Sequence, residues 1–367
     1  MPPSETTPLL PAGQTQSSPS FYFLRSYFNI LLVFIPLVTL AHRLDWSADL
    51  RLVFGLLALV PLPGLVRGST KQVSVLLHPI AAIIFDTSFV DLVEIIVNVV
   101  ALIRDDVLLI RAFILGSVLA NILFVLGCAF VAEDPKQNSR LQGRKRLVIP
   151  AAYSATLDDT SNTGGLLIIH RGTAIVLLGA YFAFLYFQNQ DGREGVVEWG
   201  DRDWVSGRIR ETNGGPDATV KNAIFGAISS EQLSVLGVVT YFCSKYLIIS
   251  IQDFSTEYEA SKTLIGLILL PLIVNLTKHI GSVRVAVEDE MELTIMYCVG
   301  SSIRIANFVA PLLIIGSWVS GHTFTFSFAN FETVVLFVSV VLVNTLIQLI
   351  GLYFIILLAF GMSPGSA

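Results

Sequence analysis

The chain has 367 residues, of which 53% are hydrophobic and only 14% are charged, and its mean hydropathy is +0.71. A soluble domain carries roughly 25% charged residues, so the composition excludes a water-soluble globular protein and predicts an integral membrane protein. The expected partner is therefore the lipid bilayer. The net charge of −5 gives no basis for nucleic-acid binding.

The first 20 residues are rich in Pro, Ser and Thr, and we expect residues 1–20 to form a disordered cytosolic tail. Within this tail, Glu5 is followed by three spacer residues and then by Leu9 and Leu10. This pattern has the form of an acidic dileucine signal, which predicts a sorting adaptor as a partner. Basic residues that follow the second and fourth apolar runs favour the same cytosolic N-terminus.

Nine apolar runs along the chain are candidates for membrane-spanning helices, each of which needs about 20 residues. They are 27–40 with its flanks, 50–66, 73–103, 107–131, 166–187, 233–251, 264–287, 293–318 and 331–362. The run 73–103 contains His78-Pro79 and is predicted to be broken or kinked there. The stretch 147–157 is apolar but too short to span, and the run 331–362 is long for one span.

An internal repeat relates the two halves of the chain at a constant offset of 184 residues. The paired landmarks are Asp91-Leu92-Val93-Glu94 with Asn275-Leu276-Thr277-Lys278, Asp105-Asp106 with Asp289-Glu290, and Gly116-Ser117 with Gly300-Ser301. Each half is expected to hold a helix with polar residues, a short acidic connection, and a helix that opens with Gly-Ser. Such repeats are typical of secondary transporters, whose substrate sites lie near the bilayer midplane between the repeats.

The repeat divides the chain into four parts. After the tail, a first repeat region with a leading helix covers 21–187, a polar connecting loop covers 188–230, and a second repeat region covers 231–362. The loop is interpreted as a solvated linker, with a regulatory or cation-attracting role as the alternative.

Ionisable side chains inside the apolar runs mark the candidate site, because each one costs about 2.5–3.5 kcal/mol at the membrane centre and so needs a partner or a function. Asp91 and Glu94 lie at i and i+3 on one helical face. Two carboxylates there can bind a hard cation through oxygen ligands or carry protons. The alternative is a salt bridge that only fixes two helices. Because the repeat makes Glu94 and Lys278 equivalent, we predict that they approach each other across the repeat interface.

Both repeats resemble the signature repeats of the vacuolar calcium/proton exchanger family. Residues 90–127 resemble the first signature repeat, and residues 266–318, with the block GSSI…FVAPLL, resemble the second. The resemblance implies a divergent member of the sodium/calcium exchanger superfamily that exchanges Ca²⁺ or another cation for protons across the vacuolar membrane. It also implies an all-α, polytopic membrane protein with about 10–11 transmembrane helices in two inverted repeats plus an N-terminal helix. Neither a cofactor nor an enzymatic activity is expected, since the five histidines form no HExxH motif and no Cys/His pair with the spacing of a metal site.

The resemblance also implies a set of residues that bind the cation or the proton. They are Glu94 and Asp91, which are also the expected metal ligands, together with Asn275, Lys278, His279, Ser117, Asn121 and Ser301.

Three departures from the family pattern put a positive charge where the family has none, and one of them is Lys245 in place of a usual glutamate. The glutamate of the second repeat is replaced by Lys278, and the family's GSSIQ reads GSSIR, with Arg304. The Lys278 ammonium can occupy the place of a transported cation. Two hypotheses follow, a cation/proton antiporter and a transport-impaired divergent paralogue with a regulatory or structural role in the membrane.

Overall fold

The computed structural model describes residues 30–74, 77–125, 127–128, 163–190, 216–287 and 291–321, together with residues 334, 338–339, 341–342 and 345. The regular elements within these ranges are helices, which confirms the predicted all-α class. They are α1 (Phe34–Arg43, after a 3₁₀ turn at Leu31–Val33), α2 (Ala48–Leu59), α3 (Leu62–Ser74), α4 (Pro79–Phe89), α5 (Leu92–Ile103), α6 (Val107–Leu119), α7 (Thr163–Gln190), α8 (Pro216–Glu257), α9 (Lys262–Leu264), α10 (Leu270–Val274), α11 (Leu276–Val287), α12 (Met291–Arg304) and α13 (Ala310–Ser320).

Several of these helices have the length and composition of membrane spans, so the chain is a multi-pass membrane protein. In the described residues, the continuous candidates are Ala48–Ser74, Val107–Val125, Ser230–Glu257 and Tyr297–Ser320. The pair Lys262–Val274 and Leu276–Val287 passes the same test together but is bent by 61°. The predicted number of about 10–11 helices also includes the run 331–362 and counts the short stretch 147–157 as a possible span; most of these residues lie outside the described ranges.

The predicted run 73–103 is divided among three helices. α3 ends at Ser74, and α4 begins at Pro79 with His78 as its N-cap residue, as His78-Pro79 predicted. A second break, between α4 and α5 at Asp91, was not predicted. Asp91 has φ −104° and ψ 17°, and Asn275 between α10 and α11 has φ −96° and ψ 11°. The same non-helical backbone therefore occurs at equivalent positions of the two halves.

The repeat is visible in the helix boundaries. α5 and α11 begin and end at positions that differ by the same 184 residues, Leu92–Ile103 against Leu276–Val287. α6 and α12 begin at equivalent residues, and each runs into a π-helical turn, at Ala120–Val125 and Ile305–Val309. Matched helices, matched breaks and matched π-turns show that the two halves share one local architecture.

The prediction that the second helix of each half opens with Gly-Ser is wrong. α6 begins at Val107, where the side chain of Asp106 caps it by accepting a hydrogen bond from Leu109 N at 3.3 Å. Gly116 and Ser117 lie in the last turn of α6. The acidic connection therefore starts the helix, and the Gly-Ser pair lies at its far end, where the two halves pack together.

Gly116 is a point of close contact between the halves. A Cβ atom added there would lie 2.0 Å from the carbonyl oxygen of Leu267 and 2.7 Å from Cγ of Pro271. In the segment that contains Leu267, a Cβ atom added at Gly266 would lie 3.0 Å from Cβ of Ala112 in α6. Small residues let helix backbones approach closely in membranes, so this crossing fixes α6 against the segment that leads to Asn275.

Both ends of the predicted connecting loop 188–230 are helical. α7 continues to Gln190, and α8 begins at Pro216 and packs against α2, α3 and α5. The residues before Leu233 are not apolar enough to predict this extension of α8. The stretch 147–157 and the tail with Glu5, Leu9 and Leu10 lie outside the described residues.

Candidate ion-binding site

The two matched helix breaks bring four polar side chains into the interior. Asp91 and Asn275 form the breaks, while Glu94 and Lys278 lie one turn further along α5 and α11. Asp91, Glu94 and Asn275 are each 1% exposed, and Lys278 is 8% exposed. The positive end of the α5 dipole favours the two carboxylates, whereas the same position on α11 disfavours the Lys278 ammonium, which therefore needs an anionic partner.

Asp91 is that partner, and it is held by two cations. Lys278 Nζ donates to Asp91 Oδ1, and Arg304 Nε donates to Asp91 Oδ2 at 3.0 Å. The side-chain exposures are 1% for Asp91, 7% for Lys278 and 11% for Arg304. Both oxygens of this carboxylate are thus engaged by charged groups from α11 and α12.

Glu94 has a different environment. Its Oε2 lies 4.0 Å from Lys278 Nζ, which confirms the predicted approach of these two residues. Among the described residues, neither carboxylate oxygen accepts a hydrogen bond from a charged group. Ser117 and Asn275 are the neutral polar side chains beside the carboxylate.

Carboxylate, hydroxyl and amide oxygens concentrated around Glu94 have the ligand chemistry that hard cations require. The arrangement around Glu94 is therefore suited to binding a small cation or a proton.

Asn121 and Ser301 join α6 to α12. Asn121 Nδ2 donates to the carbonyl oxygen of Ser117 at 2.9 Å and to Ser301 Oγ at 3.3 Å. Ser302 Oγ donates to the carbonyl oxygen of Cys298 at 3.1 Å and also lies 3.5 Å from the carbonyl oxygen of Val118. These contacts hold the Gly-Ser turns of the two halves together, so Asn121 and Ser301 have a visible packing function at the edge of the predicted site.

His279, the remaining predicted site residue, takes part in none of the ion pairs recorded among the described residues. It is 4% exposed, and its ring meets Phe124 edge-on at a centroid distance of 6.3 Å. Its two ring nitrogens have no hydrogen-bond partner among the described residues.

The sequence did not identify every residue that surrounds the cluster. Arg304 was noted only as a departure from a family pattern, although an arginine in an apolar run is itself a signal of a buried partner. Asn98, one turn beyond Glu94, donates to its carbonyl oxygen at 2.9 Å and is fully buried. Tyr297 accepts a hydrogen bond from Arg67 at 3.5 Å and lies near the two cations. A tyrosine in an apolar run gives no comparable sequence signal.

The charges of the cluster balance. Asp91 and Glu94 contribute two negative charges, and Lys278 and Arg304 contribute two positive charges. In the described residues, no group of three or more His, Cys, Asp and Glu side chains is arranged to hold a metal ion. The two carboxylates expected to act as metal ligands are therefore accompanied by cations rather than by further acidic residues.

Broken helices in two matched halves, meeting at buried charged residues, are the architecture of a secondary transporter. The sodium/calcium exchanger protein family matches residues 48–189 and 232–362. The chain belongs to this family.

Individual relatives match over most of the chain. The vacuolar calcium ion transporter of Schizosaccharomyces pombe is 32% identical, over 96% of this chain and 88% of its own length. The vacuolar cation/proton exchanger 2 of Arabidopsis thaliana is 26% identical, over 93% and 80%. The Ca²⁺/H⁺ antiporter of Synechocystis sp. is 28% identical, over 92% and 97%.

Solved structures share the fold. The structure of native YfkE has a TM-score of 0.63 at 20% identity and covers 86% of this chain and 90% of that chain. The H⁺/Ca²⁺ exchanger CAX has a TM-score of 0.57 at 11% identity, with 86% and 80% covered. The similarity is between folds at these identities, and it extends over most of both chains.

Proposed function

We propose that this chain is a secondary active transporter of the vacuolar membrane that exchanges Ca²⁺ or another cation for protons. Family membership and the names of relatives in fungi, plants and cyanobacteria support this proposal. Transport rather than an enzymatic activity is the function that these relatives share by name.

The observation that carries the proposal is the buried carboxylate of Glu94, which among the described residues is flanked by neutral polar side chains and by the Lys278 ammonium at 4.0 Å. In the proposed cycle, Glu94 binds the transported cation in one state and a proton in the other. Ser117 and Asn275, which lie beside it, supply neutral oxygen ligands. Asp91 does not exchange ions, because two cations already engage both of its oxygens.

A second candidate function follows from the same cluster. Lys278 and Arg304 balance the two carboxylates, and adding a cation to a balanced site in a low-dielectric interior is unfavourable. The chain would then be a transport-impaired paralogue with a regulatory or structural role in the membrane.

Flux in proteoliposomes distinguishes the two candidates. The full chain is reconstituted into vesicles with an acidic interior and an internal pH indicator, and CaCl₂, NaCl or KCl is added outside in separate runs. An antiporter releases internal protons upon addition of its cation, in excess of protein-free vesicles. No proton release with any of the three salts would favour the transport-impaired candidate.

The proposed location rests on the tail as well as on the relatives. Glu5, Leu9 and Leu10 fit a signal that a sorting adaptor reads on the cytosolic side. A cytosolic N-terminus is therefore part of the proposal, and it agrees with the distribution of basic residues around the apolar runs.

A further inference from the structure

We infer that Lys278 and Arg304 limit the site to one exchangeable positive charge, so that the transported cation is monovalent and is exchanged for one proton. The inference rests on the proposed antiport function and names its substrate class. Lys278 and Arg304 are the residues that determine the selectivity.

The first step is the location of the exchangeable charge. Both oxygens of Asp91 are engaged by buried cations, from Lys278 and from Arg304 at 3.0 Å. Removing either cation from a buried carboxylate is strongly unfavourable. Among the described residues, the cation beside Glu94 is Lys278, whose Nζ lies 4.0 Å from Oε2, and the other side chains at the carboxylate, Ser117 and Asn275, are neutral. Glu94 is therefore the one carboxylate of the pair that can release a proton and accept a cation within the cycle.

The second step is the charge of each loaded state. With Glu94 ionised, the cluster of Asp91, Glu94, Lys278 and Arg304 is neutral. A proton on Glu94 raises the charge to +1, and a bound monovalent cation gives the same +1. In the exchange step, protonated Glu94 releases its H⁺, and the resulting carboxylate binds an external M⁺. This step balances in atoms and charge. The two loaded states are electrostatically equivalent.

A divalent cation breaks this equivalence. Bound Ca²⁺ would bring the cluster to +2, at a carboxylate whose neighbour is a lysine ammonium 4.0 Å away. Coulomb repulsion between the cation and Lys278 scales with the charge of the cation and is strong in a low-dielectric interior. Lys278 occupies the position that is equivalent to Glu94 in the second repeat, so it replaces a second carboxylate by a tethered cation.

The inference is tested with the full chain in the proteoliposomes described above. The unmodified chain is expected to release internal protons with external Na⁺ or K⁺, and to take up radiolabelled Ca²⁺ at least about tenfold more slowly than the monovalent cation. Because a one-for-one exchange moves no net charge, an imposed membrane potential should not change the monovalent rate. These measurements need no variant, so they stand even where a substitution prevents folding.

Lys278→Glu tests the charge count directly. It changes the cluster from neutral to −2, which one Ca²⁺ or two protons neutralise, and it is expected to raise Ca²⁺/H⁺ exchange at least about tenfold above the parent. Lys278→Arg keeps the positive charge and should keep the monovalent selectivity. Lys262→Glu is the matched control, because Lys262 pairs with Asp106 at 3.5 Å in a partly exposed position outside the cluster; its selectivity should equal that of the parent.

The outcomes separate the inference from the proposed function. Ca²⁺/H⁺ exchange by the unmodified chain at the monovalent rate would overturn the inference and leave cation/proton antiport in place. If Lys278→Glu folds and still exchanges a monovalent cation but gains no Ca²⁺ transport, the assignment of selectivity to Lys278 is overturned. No flux of any cation through the unmodified chain would refute the antiport function itself, together with the inference.

Discussion

Asp91 and Glu94 are separated by a single helical turn, yet the structure predicts effects of very different size on stability when each carboxylate is converted to its amide. Asp91→Asn leaves the Lys278 and Arg304 cations without the carboxylate that engages both of them. Breaking a buried pair by removing one partner costs about 3–5 kcal/mol. We therefore expect Asp91→Asn to lower the free energy of unfolding by about this amount.

Glu94→Gln should have a much smaller effect on stability. The attraction lost between charges 4.0 Å apart is about 4 kcal/mol at an effective dielectric constant of about 20. The substitution also removes a desolvation penalty of several kcal/mol for a buried carboxylate. The two contributions nearly cancel, so a change of less than about 1 kcal/mol is expected.

Titration of the purified proteins with SDS in mixed micelles measures the difference, with the fluorescence of the chain's 4 tryptophans as the signal. Asp253→Asn is a suitable control, because Asp253 pairs with Arg51 at 2.9 Å but its side chain is 36% exposed. Such a pair contributes less than about 1 kcal/mol. Equal destabilisation by Asp91→Asn and Glu94→Gln, or a larger effect of Glu94→Gln, would refute the division of roles between these carboxylates.

Two further predictions concern the packing of the two halves against each other and the targeting of the protein to the vacuolar membrane. Gly116→Ala places a methyl group against the backbone of Leu267 and should destabilise the protein by about 1–3 kcal/mol in the same SDS titration; Gly237→Ala, where a Cβ meets no atom within 4 Å, should leave stability near that of the parent. Replacing Leu9 and Leu10 by alanine should divert a fluorescently tagged chain from the vacuolar membrane, as seen by microscopy, and unchanged targeting would show that the signal lies elsewhere.

Much of the fold follows from the sequence because lipid imposes strong constraints on it. Apolar runs predicted α7 and the span Val107–Val125, and His78-Pro79 predicted the start of α4. The constant offset of the polar landmarks predicted a repeat that the helix boundaries reproduce. The breaks at Asp91 and Asn275 were not predicted, because neither residue is a helix breaker as proline is and because local propensity is weak beside the packing of the two halves.

The sequence predicted which residues form the candidate site better than it predicted which of them contact each other. Equivalence of Glu94 and Lys278 in the repeat predicted their approach, which the distance of 4.0 Å confirms. The offset contains no information about side-chain direction, so it did not reveal that Lys278 donates to Asp91 or that Arg304 engages the same carboxylate. Arg304 aligns with an alanine of the first half, Ala120, and a comparison of the halves therefore assigns it no partner.

The central claim is that Glu94 binds the ions of a proton-coupled cation antiporter, and proton release in proteoliposomes that contain Glu94→Gln tests it most directly. Glutamine keeps the size of the side chain but can neither release a proton nor bring a negative charge to a cation. We predict cation-dependent proton release by the unmodified chain and its loss in Glu94→Gln, with the variant still monodisperse in detergent and unfolding at the parent's SDS concentration. Proton release by Glu94→Gln at the parent's rate would contradict the account.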